Sequence, residues 1–307
     1  MRVVITGGTG MIGTALALSL ANDGHEIIIP SRNPRQVGPM PVSIQFVKYD
    51  ADTAEGWAHV VDGADAVVNL AGASLSGEGF FPSRWTDARK QEILNSRLDV
   101  GSAVVEAIEQ AENKPRVLIQ ASGINYYGTH PHNEVITESH PPGDDFLADV
   151  CKQWEASTAA VEDMGVRRCI IRTSLVLDDE QGALPRFVFP FKLFVGGRFG
   201  NGKQSVPWIH LDDEVGAIRY LIENDNLSGP FNLTAPNVVT NREFAKAIGS
   251  ALGRPSFFWV PGIFFRLMFG EVAQLVLEGQ RAVPARLQEA GYQFKFTDPE
   301  AALRDLY

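Results

Sequence analysis

Apolar residues recur along the first half of the chain in two alternating rhythms. Short, nearly continuous runs read as strands: RVVIT (2–6), HEIII (25–29), SIQFVKY (43–49), ADAVVNLAG (64–72) and RVLIQASG (116–123). Between them lie helical patterns: TALALSLAN (14–22), a long stretch from about Trp85 to Glu112, and another from about Phe146 to Met164 that leads into VRRCIIRTSLVL (166–177). Strands without polar alternation are buried on both faces, and strands separated by helices pair in parallel. The pattern predicts an α/β fold, a Rossmann-like doubly wound parallel sheet whose ligands bind at the carboxyl ends of the strands.

The texture changes after Leu177. Residues 178–208 are rich in Gly, Phe and Pro and have no period; LDDEVGAIRYLIEN (211–224) reads as a helix, GPFNLT (229–234) as a strand, and three or four helical segments follow. This predicts a dinucleotide-binding domain over 1–177 and a smaller, mostly helical substrate domain over 178–307. The boundary is soft, because the chain has a route back to the first sheet. The most apolar late stretch, PGIFFRLMFGEVAQLVLEG (261–279), is too short to span a bilayer comfortably and is interrupted by Arg266 and Glu271, so it is expected as a buried helix.

Composition narrows the function classes. The 307 residues are 45% hydrophobic and 21% charged, as in ordinary soluble domains. The net charge of −10 argues against nucleic acid or an anionic membrane as partner, and an anionic ligand would need a local basic site. Cys151 and Cys169 offer neither metal-ligand spacing nor a disulfide framework, which fits a cytoplasmic, metal-free protein. Strand-like residues begin at Arg2, so no signal peptide is expected before the first strand.

The candidate chemistry begins at TGGTGMIG (6–13), between the first strand and the first helix. Gly7, Gly10 and Gly13 give GxxGxxG, and Gly8, Gly10 and Gly13 give GxGxxG. Such spacings allow a tight turn, bring backbone N–H groups close to a diphosphate and pack the helix on the strand. Gly7, Thr9, Gly10, Met11, Ile12 and Gly13 are the expected phosphate cradle, at a helix end that carries about half a positive charge. NAD-binding folds usually place an acid after the second strand; here the residues are Pro30, Ser31, Arg32, Asn33, Pro34 and Arg35. Arg32, helped by Ser31 and more weakly by Arg35, is suited to an adenosine 2′-phosphate, which points to NADP(H). Small residues at the end of the fourth strand, Leu70, Ala71 and Gly72, would let the cofactor lie against the backbone.

With TGGTGMIG, PSRNP (30–34), NLAG (69–72), RWTDARKQEILNSR (84–97), NYYG (125–128), CKQWE (151–155), PWIHLDDE (207–214) and the tail from 260 to 294, the whole chain resembles the extended short-chain dehydrogenase/reductase superfamily. It is similar within it to the atypical NAD-dependent epimerase-like, or nucleoside-diphosphate-sugar epimerase-like, branch, whose tail is a domain of unknown function. Some members of that branch are labelled cell division inhibitor homologues. The resemblance implies that Arg97, in an SR pair, approaches the cofactor. It implies a catalytic Tyr with a Lys four residues later, and a Ser or Thr at the end of the fifth strand. In register with Glu155, those Tyr and Lys positions hold Leu147 and Cys151; counted back four residues from Tyr127, the Ser position holds Gly123, one place after Ser122. Ser122, Tyr126, Tyr127 and Lys152 are the remaining catalytic candidates. Trp208, His210 and Arg198 are candidates for substrate contact, Arg198 in a glycine-rich loop suited to an anionic substrate. Relatives often form homodimers through helices corresponding to about 90–111 and 146–164. Two readings follow. One is an NADP(H)-dependent oxidoreductase or epimerase acting on a small, sometimes nucleotide-linked, substrate. The other is a non-catalytic NADP(H)-binding sensor or interaction protein.

Overall fold

The computed structural model describes residues 1–33, 40–77 and 79–307. Arg35, the weaker of the two phosphate candidates, lies outside the described residues. The β-branched runs form seven strands: β1 (Arg2–Thr6), β2 (Glu26–Ser31), β3 (Ile44–Lys48), β4 (Ala66–Asn69), β5 (Val117–Gly123), β6 (Arg167–Thr173) and β7 (Gly229–Leu233). They pair in parallel in the order β7-β6-β5-β4-β1-β2-β3. The chain runs outward from β1 to β3, then crosses back to β4 and runs outward the other way. The reversal leaves a crevice above the carboxyl ends of β1 and β4, where such sheets hold their ligands.

Helices α1 (Met11–Asn22), α2 (Asp87–Gln110) and α3 (Phe146–Ser157) connect the strands. Their starts are legible: Thr86 accepts from Arg89 N to cap α2, and Asp145 accepts from Ala148 N to cap α3. Helices α4 (Leu184–Lys192), α5 (Leu211–Glu223), α6 (Asn241–Leu252) and α7 (Gly262–Phe269) follow. Leu16 and Leu20 of α1 share one buried core with Ile218 and Leu221 of α5; Val104 and Ile108 of α2 pack with Trp57 on the opposite face of the sheet. These cores cover both faces, which is why the strands carry apolar residues on consecutive positions.

Beyond residue 178 the chain does return to the sheet: β7 pairs with β6, and α5 packs beside α1. The remainder forms a separate core of α4 and α6 with Trp208 and Leu303. Residues 261–279 are not the single buried helix expected from their hydrophobicity. Gly270, at φ +63°, ends α7, and none of its residues is buried. Ile263, Phe264, Leu267 and Met268 lie on one side of the helix and face outward, while Phe265 packs 4.8 Å from Phe199. Among the described residues, no helix is long and apolar enough to cross a membrane.

Candidate functional site: a dinucleotide cleft

The cleft floor is pinned across the sheet. Thr6 Oγ1 at the end of β1 donates to Asn69 Oδ1 at the end of β4 (2.6 Å), and Asn69 Nδ2 donates to Gln120 Oε1 on β5 (2.9 Å). All three side chains are buried, so each polar atom needs its partner, and the network fixes the spacing of the strand ends.

Above this floor the glycines have separable duties. Gly7 has φ +72°, and a Cβ there would lie 2.7 Å from the carbonyl carbon of Leu70. A Cβ on Gly13 would lie 2.4 Å from Gly7 O, and one on Gly8 would strike Ile29 of β2 at 2.8 Å. The fold therefore demands those three. Gly10 differs. Its backbone (φ −83°, ψ 172°) suits any residue, and its Cβ would meet only Gly7 O, at 3.4 Å. Gly10 is also the N-cap of α1, with no capping side chain and no acid in the first turn, so the helix's first amides are left to a ligand.

A cleft of about 460 Å³ opens over this turn. Of the residues expected at the cofactor, Gly7, Gly10, Met11, Ile12 and Gly13 line it from the turn; Leu70, Gly72 and Arg97 line it from the β4 side. Thr9 is exposed at the tip of the turn, and Ala71 backs onto Gly7; neither lines the cleft. Ser31 and Arg32 end β2 next to the turn and are also outside the cleft lining, with Arg32 exposed and Ser31 Oγ accepting from Asn33 N.

Arg97 is only 7% exposed. Its Nη1 donates to Ile93 O and Ala73 O, and its guanidinium lies 4.7 Å from the ring centre of Trp154. Burial pushes its pKa down to about 10. No carboxylate among the described residues pairs with it. A buried, unneutralised guanidinium on the cleft wall calls for an anion. Trp154 Nε1 and Ser174 Oγ, on two other residues that line the cleft, are buried atoms without a hydrogen-bond partner among the described residues.

The other end of the cleft is built from β5, β6 and α3. Leu147 and Cys151, the residues at the family's Tyr and Lys positions, both line it, together with Ser122, Gly123, Asn125 and Thr173. Burial, reinforced by Glu155, pushes the Cys151 thiol up to about 11, so it is neutral at ordinary pH. Ser122 Oγ donates to Glu155 Oε1 (2.7 Å), and Arg172 on the adjacent strand grips Glu155 through Nε and Nη2, both at 2.9 Å. Burial alone would lower the Arg172 pKa, but its bonds to Glu155 raise it instead.

The other candidates lie elsewhere. Tyr127 is buried, donates to Asn232 Oδ1 and accepts from Arg172; burial pushes its hydroxyl up to about 12. Tyr126 packs its ring 3.5 Å from the Arg172 guanidinium carbon. Lys152 pairs with Asp149 on the outer side of α3, one residue and about 100° from the cleft-facing Cys151. The expected ligand contacts of Trp208 and His210 are not found. Trp208 is wholly buried and donates to Asn237 O, because its strand lies inside the α4–α6 core. His210 is the N-cap of α5, accepting from Asp212 N (3.1 Å) and stacking on Phe296, so its ring belongs to the helix start. Arg198 sits on a short strand (Gly197–Phe199) paired with Phe258–Val260, outside the cleft lining. Reading the sequence alone missed Asn125, Trp154, Thr173 and Ser174. Thr173 and Ser174 had a usable signal, their place at the carboxyl end of a parallel strand.

Fold and cleft together define a Rossmann-type α/β protein built to hold a dinucleotide. The model of the NAD dependent epimerase/dehydratase family matches residues 3–234, and the model of a domain of unknown function (DUF1731) matches residues 260–306. The chain belongs to the NAD dependent epimerase/dehydratase family, in agreement with the resemblance drawn from its motifs. It is 36% identical over 307 residues to the epimerase family protein YfhF of Bacillus subtilis, covering 100% of this chain and 98% of that one. It is 39% identical to the chloroplastic epimerase family protein SDR39U1 homolog of Arabidopsis thaliana, covering 99% and 86%. The human epimerase family protein SDR39U1 (isoform 2), whose crystal structure was solved with NADPH, superposes with a TM-score of 0.88 at 34% identity, covering 100% and 99%.

Proposed function

We propose that this protein binds NADP(H) in the cleft and uses it on a small carbonyl or alcohol substrate held over Ser122. The observation that carries the binding is Gly10: neither its backbone nor its protein neighbours require a glycine, and the α1 amides behind it are uncapped. A diphosphate against those amides explains both. Arg97 supplies the buried positive charge from the β4 side, and Arg32 with Ser31 suits the 2′-phosphate at the end of β2. The NADPH bound to human SDR39U1 supports the choice of dinucleotide.

NADP(H), when bound, would supply hydride transfer. Leu147 has no proton to move and Cys151 is neutral, so the chain's own contribution is to orient the substrate, and that role falls to Ser122. Ser122 already donates to Glu155, so its lone pairs are available to a substrate hydroxyl while its own proton points toward the carboxylate. Asn125 and Thr173 add neutral hydrogen-bonding groups beside it.

The test has two stages. Titration with NADPH and NADH, followed by nicotinamide fluorescence, is expected to show tighter binding of NADPH; equal affinities would remove Arg32 from the proposal. Incubation of the NADP-loaded protein with aldehydes, ketones, alcohols and sugar nucleotides, followed by absorbance of the reduced nicotinamide, is expected to show turnover that Ser122→Ala abolishes. The apolar replacements at 147 and 151 favour a second reading, a cofactor-binding sensor without turnover. Saturable NADPH binding with no turnover across that panel would select it.

A further inference from the structure

The charge of this molecule is unevenly distributed. Residues 181–211 and 244–270 contain seven basic residues and no acid, so the rest of the chain carries all 37 acids against the other 20 of the 27 bases. These two segments come together in space: Gly197–Phe199 pairs with Phe258–Val260, and α4 packs with α6. Of the sixteen large hydrophobic residues exposed among the described residues, eleven fall in these segments, four in the first and seven in the second. One region thus concentrates exposed apolar surface, and the acids beside α7 are paired, Glu278 with Arg266 and Glu271 with Lys90.

Its geometry is not that of an unfinished core. Ile263, Phe264, Leu267 and Met268 occupy one side of α7 and are each more than half exposed, while Phe265 on the other side packs against Phe199. Lys192, Leu193, Phe194 and Val195 form a continuous exposed run after α4. Phe194 has φ +61°, a left-handed conformation that glycine adopts at lower cost after a helix, yet the residue is 54% exposed, with the Arg254 guanidinium 4.4 Å from its ring centre. Trp259, also exposed, is anchored by its Nε1 donating to Gly200 O.

We propose that this face docks the protein onto the surface of an anionic lipid bilayer. Aromatic and aliphatic side chains projecting from a short helix, flanked by Lys and Arg, enter the headgroup boundary, and the bases neutralise anionic lipid there. The overall charge of −10 opposes approach to such a surface, but these segments contain no acid and the neighbouring Glu278 and Glu271 are paired with Arg266 and Lys90, so this face opposes it least. A symmetric contact with a second copy would instead set two basic faces against each other. The face also adjoins the cleft rim: Arg186 of α4 donates to Ser76 and Gly79 O in the loop that supplies Ser74 and Leu75 to the cleft, and Arg84 donates to the carbonyls of Leu267 and Met268.

The full chain is tested by flotation with phosphatidylcholine vesicles, with and without phosphatidylglycerol. The expected result is binding to the anionic vesicles, release at about 1 M salt where the Debye length falls to about 3 Å, and little binding to neutral ones. Phe264→Ser with Leu267→Ser, and separately Lys192→Glu with Arg254→Glu, should each weaken binding roughly tenfold or more. All four sites are exposed, and an unchanged circular dichroism melt shows that a variant is folded. Wild-type protein that stays with the buffer beside anionic vesicles overturns the proposal, as does equal binding to neutral vesicles. A wild-type dimer that the Phe264/Leu267 variant converts to a monomer, without lipid binding, overturns it in favour of a protein–protein interface.

Discussion

The two ends of the cleft are built on opposite plans. At the glycine turn the protein leaves atoms out: no Cβ at Gly10, no cap and no acid at the start of α1. At α3 it presents its own side chains, Leu147 and Cys151, at the positions where the family resemblance implies a Tyr and a Lys. In the proposed function the grip on a dinucleotide resides in backbone amides, whose geometry the β1–α1 turn imposes. Proton chemistry resides in side chains on a helix face, which can be exchanged without disturbing the sheet. The difference teaches that an opening shaped for a dinucleotide and the side chains facing it are separable features of this fold.

The sharpest way to break this comparison is Gly10→Val. We expect NADPH binding to vanish while the thermal midpoint falls by only a few degrees. The protein has room for the side chain, and losing a glycine N-cap costs on the order of 1 kcal/mol, or about 2–4 °C for a domain of this size. Gly13→Val should lose fold and binding together, since its Cβ would sit 2.4 Å from Gly7 O. If Gly10→Val unfolded the protein as Gly13→Val does, the open helix end would be structural and the argument from Gly10 would fail.

The second prediction concerns the start of α5, which the protein fills with its own groups: His210 as cap and Asp212, Asp213 and Glu214 in the first turn. Glu214 is fully buried, accepts from Thr173 Oγ1 (2.7 Å) and has a second oxygen without a partner among the described residues. Burial pushes its pKa up to about 8 from 4.5. The folded state therefore holds a proton that the unfolded chain releases above pH 4.5 or so. Its contribution to stability is complete below the unfolded value and is lost as pH rises through about 8. Glu214→Gln should match the parent near pH 5 and exceed it by roughly 2–4 kcal/mol near pH 9, at about 1.4 kcal/mol per pKa unit, in urea denaturation followed by tryptophan fluorescence. Parallel stability–pH curves for parent and variant would show that Glu214 is not protonated in the fold.

How much of this was legible in the sequence follows from the same contrast. Strand runs and the glycine spacing are local signals, so the parallel sheet and the cradle could be read directly, and Leu147 and Cys151 could be placed by register with Glu155. Arg97 was named from a two-residue motif, but its burial against Trp154 depends on how α2 and α3 meet. Trp208 and His210 misled because a motif fixes neighbours along the chain and not the side of the strand a ring faces; both rings turned into packing and capping. The 261–279 stretch misled for a different reason. High hydropathy implies burial only when another element is available to cover it, and α7 packs through Phe265 and Phe269 while Ile263 and Leu267 are exposed among the described residues.

A smaller effect is expected at the adenosine end. Arg32→Ala should weaken NADPH about 10- to 100-fold, as loss of a charge-assisted phosphate contact worth about 1.5–3 kcal/mol requires, and leave NADH within about twofold. The paired titrations check it by calorimetry or fluorescence. An equal loss for both dinucleotides would place Arg32 on the adenine or the ribose instead of the phosphate, and the preference for NADP(H) would need another source.

The smallest effect tests the separation itself. Ser122→Ala removes a 2.7 Å hydrogen bond to Glu155 but leaves Glu155 held by Arg172 through two bonds. The carboxylate therefore keeps charged partners, and the stability loss should stay near 1 kcal/mol. Because Ser122 lines the far end of the cleft from the glycine turn, NADPH affinity should stay within about twofold of the parent, corresponding to less than about 0.5 kcal/mol. Any NADP-linked turnover should nevertheless disappear, since Ser122 is the side chain at that end to which the proposal assigns the substrate hydroxyl. If affinity instead fell as far as it does in Arg32→Ala, Ser122 would belong to the grip, and the division of labour between backbone and side chains would have to be redrawn around β5.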